Sequence, residues 1–159
     1  MSLTGGSCHY LRVLTATLKG LLEQEAWPHE PLPEGGGFRI VIREGTGRWP
    51  CMAIFNPPED RLVIYGVCPF VVPAERRAPM AELITRANFG LPVGNFELDL
   101  ADGELRCRTS IDFEDAVVDA KLVRNLLYLN VALMARHLPV IEAVLAGAAP
   151  LEALAQLGP

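Results

Sequence analysis

Cysteine is scarce in this chain, and what there is forms no pattern. Cys8, Cys51, Cys68 and Cys107 give no CxxC pair and no short Cys/His spacing. That excludes the zinc sites and small disulfide frameworks built on such spacing. Reduced thiols in a cytoplasm are the expectation. Histidine is as sparse: His9, His29 and His137 stand far apart, with no HxxxH or HExxH. Basic charge is also short. The net charge of −5 argues against nucleic acid held by phosphate contacts, and against an anionic membrane surface. Arg12 and Lys19 interrupt the N-terminal leucines, which a signal peptide would not tolerate. Arg124, Arg136 and His137 interrupt the longest apolar run, so no uncharged span of about 18 apolar residues survives. A soluble, cytoplasmic protein without metal or cofactor is expected.

Apolar residues, by contrast, make up 50% of the 159 positions, enough for one domain spanning 1–159 to bury its own core. The stretch from Val117 to Leu145 organises that core. At 3.6 residues per turn, Lys121, Arg124, Asn125, Arg136 and Glu142 share a narrow polar strip. The apolar remainder is broader than one sheet covers. A second covering surface is therefore expected, and a homodimer would supply it.

Asn130 and His137 are polar residues within the apolar stripe, seven apart and so nearly above one another. An unsatisfied buried amide or imidazole costs about 1–3 kcal/mol, so each needs a partner. Either they bond to backbone or water in the core, or they lie with Leu133 and Met134 at a seam with a partner or second subunit, fixing its register. Pro139 removes a helical donor and is expected to kink the helix.

From the N-terminus, Ser7 is placed to cap a helix that presents Leu11, Leu14, Leu18, Leu21 and Leu22 on one face. Trp27-Pro28 stops it, and HEPLPEGGG reads as a loop. Alternation marks a strand in FRIVIRE, and the chain then turns at Glu44–Gly47 and returns through Arg48–Phe55. Pro50 implies that the return strand is an edge or is bulged there. NPPED turns the chain again, and RLVIYGV is a third strand. Met80, Leu83, Ile84 and Ala87 restore helical spacing within Pro73–Asn88, a helix expected to start in two pieces and to end left-handed at Asn88 or Gly90.

A hairpin follows around Asp102-Gly103. Pairing outward from a two-residue turn sets Leu100 against Leu105, Leu98 against Cys107, Asp99 against Arg106 and Glu97 against Arg108. One face is then apolar and the other carries two charge pairs. The predicted fold is α+β, an antiparallel arrangement of about five strands in the order α-β-β-β-α-β-β-α, with the long C-terminal helix packed on the sheet.

The segment ELITRANFGLPVGNFELDLADGELRCRTSID, with the helix LVRNLLYLNVALMARHLPVIEAVL and its late Pro139, resembles the YbjN domain family, which carries the label of sensory transduction regulator. The likeness covers Pro73–Leu145 in residues and the first strands in order alone. It implies a fold similar to type III secretion chaperones, dimers that bind partner polypeptides on their surface. The family supplies no agreed catalytic residues or cofactor to carry over.

Nor do the residues build a catalytic set. Glu97 and Asp99 face arginines in the hairpin register. Asp112, Glu114, Asp115 and Asp119 suit the start of the long helix and lack the glycine-centred loop of a calcium hand. Ser110 lies in a strand and not in a nucleophile elbow. The expected function is a non-catalytic protein-binding or regulatory module, chaperone-like and homodimeric, with itself and another polypeptide as partners. The alternative is a small-molecule-sensing regulator, and an enzyme ranks last.

Overall fold

The computed structural model describes residues 5–33, 36–56, 60–114 and 119–158, with side chains from residue 11 onward. In chain order the elements are α1 (Gly5–Gln24), β1 (His29–Pro31), β2 (Gly37–Glu44), β3 (Gly47–Asn56), β4 (Arg61–Val71), α2 (Ala74–Phe89), β5 (Asn95–Leu98), β6 (Glu104–Asp112), α3 (Ala120–Leu145) and α4 (Pro150–Ala155). The strands form one antiparallel sheet of six in the order β1-β2-β3-β4-β6-β5. The extra strand is β1, inside the Pro/Gly-rich stretch expected to be loop. Three residues ending in Pro31 show no readable alternation, yet Glu30 pairs with Arg39 on the neighbouring strand. The short α4 was also not expected. Ser7 lies inside α1, which already includes Gly5, so it is not the cap. The expected NPPED turn falls largely outside the described residues.

The strand pattern places Phe38, Ile40, Ile42, Trp49, Cys51, Ala53, Phe55, Leu62 and Ile64 on one buried face. Helix α3 lies across that face, with α1 and α2 packed beside it. By length and composition α3 is apolar enough to cross a membrane, but its apolar side is buried in this core. Asp119 caps it, accepting from the Lys121 N–H at 2.7 Å. The helix continues through Pro139, whose side chain is exposed. Helix α2 is a single helix with Pro79 inside it, not two pieces. It ends at Gly90 with φ −94°, a right-handed residue, so the expected left-handed ending is not used. Asn88 instead clasps β5, donating to the Phe96 carbonyl at 2.9 Å and accepting from its N–H at 2.7 Å.

The hairpin is present, but its register is shifted by two. Leu98 faces Leu105, Phe96 faces Cys107 and Glu97 faces Arg106. The period of a strand is two, so this shift leaves every side chain on its expected face, and the apolar pattern could not detect it. Turn chemistry makes the difference. Asp99 Oδ1 accepts from the Ala101 N–H and Asp102 Oδ1 from the Glu104 N–H, so the loop is longer than two residues. Gly103 closes it at φ +86°; a Cβ there would lie 2.1 Å from the Val72 carbonyl oxygen. Leu100 is left 63% exposed instead of paired in the core.

At the centre of the sheet, Gly66 gives up its side chain to α3. A Cβ on it would meet Asn130 Oδ1 at 2.6 Å and Met134 Cγ at 2.8 Å. Gly66→Ala should therefore destabilise the protein by about 1–3 kcal/mol in urea melts, as an overpacked core does. Gly20→Ala, in the α1 interior with open space around the new methyl, should stabilise by about 0.5–1 kcal/mol. A neutral effect at Gly66 would contradict the close approach of α3.

Candidate functional site

Helices cover one face of the sheet; among the described residues none packs on the other. The open face carries Val41, Pro50, Met52, Ile54, Val63, Tyr65 and Val67, all half-buried by one another. An arginine–glutamate lattice borders it along β5 and β6. Glu97 accepts from Arg106 Nε at 2.8 Å and is ion-paired with Arg108 Nε at 3.0 Å. Arg106 also reaches Glu104 at 3.3 Å and lies over the Tyr65 ring, 4.2 Å from its centroid. Burial alone would raise the Glu97 pKa, but the Arg106 and Asn95 hydrogen bonds and the charges of Arg108 and Arg106 hold it below the ordinary value. Glu97 is thus a fixed anion, unsuited to proton transfer at neutral pH.

The open face is split where β3 and β4 part. The Phe55 N–H binds the Gly36 carbonyl, so odd-numbered residues of β3 bond to β2 and even-numbered ones face β4. The bonded pairs between β3 and β4 are then Asn56–Arg61, Ile54–Val63 and Met52–Tyr65. Continuing the same register, the next two would set Pro50 against Val67 and Arg48 against Pro69. Each contains a proline, which has no N–H to give, and pairing stops at Cys51–Gly66. Beyond that point β4 changes register between Val67 and Val71 as it follows β6. A groove of about 690 Å³ opens between the strands, lined by Arg48, Pro50, Val67, Pro69 and Phe70 among others. Pro50 was expected to mark an edge strand or a bulge. Strand β3 is instead interior to the sheet and becomes an edge locally, from Pro50 toward its start.

The four residues read as a partner or dimer seam lie within the protomer. Asn130 is fully buried and donates to the carbonyls of Ile64 at 3.1 Å and Cys107 at 3.0 Å, tying α3 to β4 and β6. Met134 shares the Gly66 gap with it, and Leu133 packs against the site of Gly94. His137 lies apart, between α2 and β5, with Nδ1 on the Leu133 carbonyl at 2.8 Å and its ring 4.8 Å from that of Phe96. With Asn130 and Met134 at 0% exposure, a second chain docking on this fold would not reach them. The Asn130 amide protons and His137 Nδ1 are bound within the chain, while Asn130 Oδ1 has no hydrogen-bond partner among the described residues. The seam reading is corrected to a helix–sheet contact. Sequence reasoning missed Pro69, which in the continued register falls at the bonding position next to that of Pro50. The signal was present, but it appears only once the register of β3 against β4 is worked out.

No nucleophile emerges among the three described thiols. Cys51 and Cys107 flank Gly66 in one row across the sheet, and Cys68 lies on the same buried face. All three are unbridged, and each has its pKa pushed up to about 12, first by burial and then by neighbouring charge. Among the described residues no group of three His, Cys, Asp or Glu could hold a metal.

The family described as "Putative bacterial sensory transduction regulator", YbjN, matches residues 15–143. The chain belongs to the YbjN family. Among solved structures, it is similar to that of "YbjN, a putative transcription regulator from E. coli". The TM-score is 0.55 at 11% identity, over 73% of this chain and 82% of that one. At that identity the likeness establishes the fold. No curated protein matches the chain. In this chain the long core helix lies on one face of the sheet, and among the described residues no helix packs on the other.

Burial lowers the His137 pKa below 6.5; the Leu133 carbonyl opposes this and Arg136 adds to it. Folding therefore favours the neutral ring. Its contribution is whole above the unfolded value near 6.5 and is lost as pH falls through the folded pKa. Stability measured from about pH 7 to about pH 5 should fall less steeply in His137→Leu than in the parent. Parallel slopes would contradict burial of the neutral ring.

Proposed function

We propose that this protein is a non-catalytic cytoplasmic regulator that works by contact with other polypeptides on its open sheet face, chaperone-like and as a homodimer. The observation that carries this reading is the open face itself. Its apolar side chains line up across β2, β3 and β4, bordered by a fixed charge lattice, which is the make-up of a contact surface with a polar rim. The raised thiols and the arginine-paired Glu97 support a non-catalytic role. Membership of the YbjN family supports a regulatory one.

A photo-crosslinking residue placed at Met52 or Ile54 in the native host tests it. Adducts with polypeptides, a second copy included, should form there and not from the same probe at Leu122 on the exposed side of α3. Light scattering at micromolar concentration should give twice the chain mass of 17.3 kDa. A monomer with equal crosslinking at both positions would contradict the proposal. The groove supports a second reading, a small-molecule sensor, because about 690 Å³ is within the range of ligand pockets. Native mass spectrometry showing a stoichiometric small ligand would favour it.

A further inference from the structure

The groove between β3 and β4 has a chemical polarity. Beside one lip Arg43 and Arg48 stand directly opposite each other across the β2–β3 hairpin, both exposed. Neither has an ion-pair partner among the described residues. Like charges set opposite each other disfavour the strand pair unless an anion joins them. The other lip carries Asp102 and Glu104, with the Glu104 carboxylate engaged by Arg106 at 3.3 Å. Glu30, also in the lining, is held by Arg39 at 3.9 Å. Between the lips the walls are apolar: Val41, Val67 and Phe70. The strand lips are short of donors, because Pro50 on one and Pro69 on the other bring carbonyls without N–H groups.

We propose that this groove binds a segment of another polypeptide in extended conformation, with an acidic side chain set on Arg43 and Arg48 and an apolar one against Val67 and Phe70. This rests on the protein-contact reading above and names the chemistry of the partner. An extended backbone supplies the N–H donors that the lips lack, and its alternating side chains reach the charged lip and the apolar wall in turn. A small anion would satisfy the arginines and leave the apolar walls uncovered. Asp102 and Glu104 repel acid at the far lip, so the segment has one orientation.

The test uses the full chain, isotope-labelled, titrated with a dodecapeptide of alternating leucine and glutamate and separately with its leucine–lysine counterpart. The glutamate peptide should shift the amides of Arg43, Arg48, Val67 and Phe70, and bind more tightly than the lysine peptide. Arg43→Glu with Arg48→Glu should weaken it by about tenfold or more and invert the preference, and the milder Arg48→Gln should give a smaller loss in the same direction. Glutamate-peptide shifts confined to Met52, Ile54 and Val63, and indifferent to the arginines, would overturn the groove assignment and leave the protein-contact reading standing. Inorganic phosphate giving the same shifts at the same affinity would overturn it in favour of a small anion. Absence of any shift at millimolar glutamate peptide would overturn it outright. If photo-crosslinks at Met52 were absent too, the protein-contact reading would fall with it.

Discussion

A β-ladder runs only as far as each strand can donate N–H groups to the other, and here that limit falls just beyond Cys51 and Gly66. Pro50 and Pro69 sit on opposite strands at the next two bonding positions, so each of those positions would form one bond where a normal pair forms two. The strands part, β4 shifts its register to follow β6, and the groove opens on the side away from the helices. The charged lips acquire their arrangement from that divergence. Without it, Arg48 and Val67 would belong to a flat, fully paired sheet.

The other face shows the opposite solution. There α3 approaches the sheet so closely that Gly66 can carry no side chain, and Asn130 spends both amide protons on strand carbonyls. Those two bonds fix the helix against two strands at once, because sliding it by a turn would leave both protons unpaired. The rigid half of the domain therefore lies between sheet and helices. The adaptable surface lies behind it, where apolar side chains are only half-covered. A regulator that works by contact needs both: a fixed frame, and a face that can still gain by burial.

Much of this was legible in the residues. Period-two and period-3.6 patterns located α1, α2, α3 and the longer strands, because each buries one side and exposes the other. Two kinds of feature were not legible. Elements too short to show a period, β1 and α4, left no signal. Registers that differ by an even number of residues look the same to an alternation rule, so the hairpin at Asp102-Gly103 was set two residues off while its faces were right. Asn130 and His137 were recognisable as polar residues in an apolar stripe, but the stripe cannot say whether a strand or a second chain meets them. The groove was hidden for a related reason. Pro50 alone suggests an edge, and its meaning depends on Pro69, which becomes its neighbour only through the register of β3 against β4.

The claim that proline placement opens the groove is tested most directly by restoring the missing donors. In a chain carrying Pro50→Val and Pro69→Val, amide hydrogen exchange at positions 48, 50, 67 and 69 reads whether β3 and β4 zip together. The account predicts slowed exchange at these amides and new cross-strand contacts between positions 50 and 67. Exchange at the two new amides and at their neighbours as fast as in an unpaired strand would contradict it, and would mean that the packing of α3 and the path of β4, not the prolines, hold the strands apart.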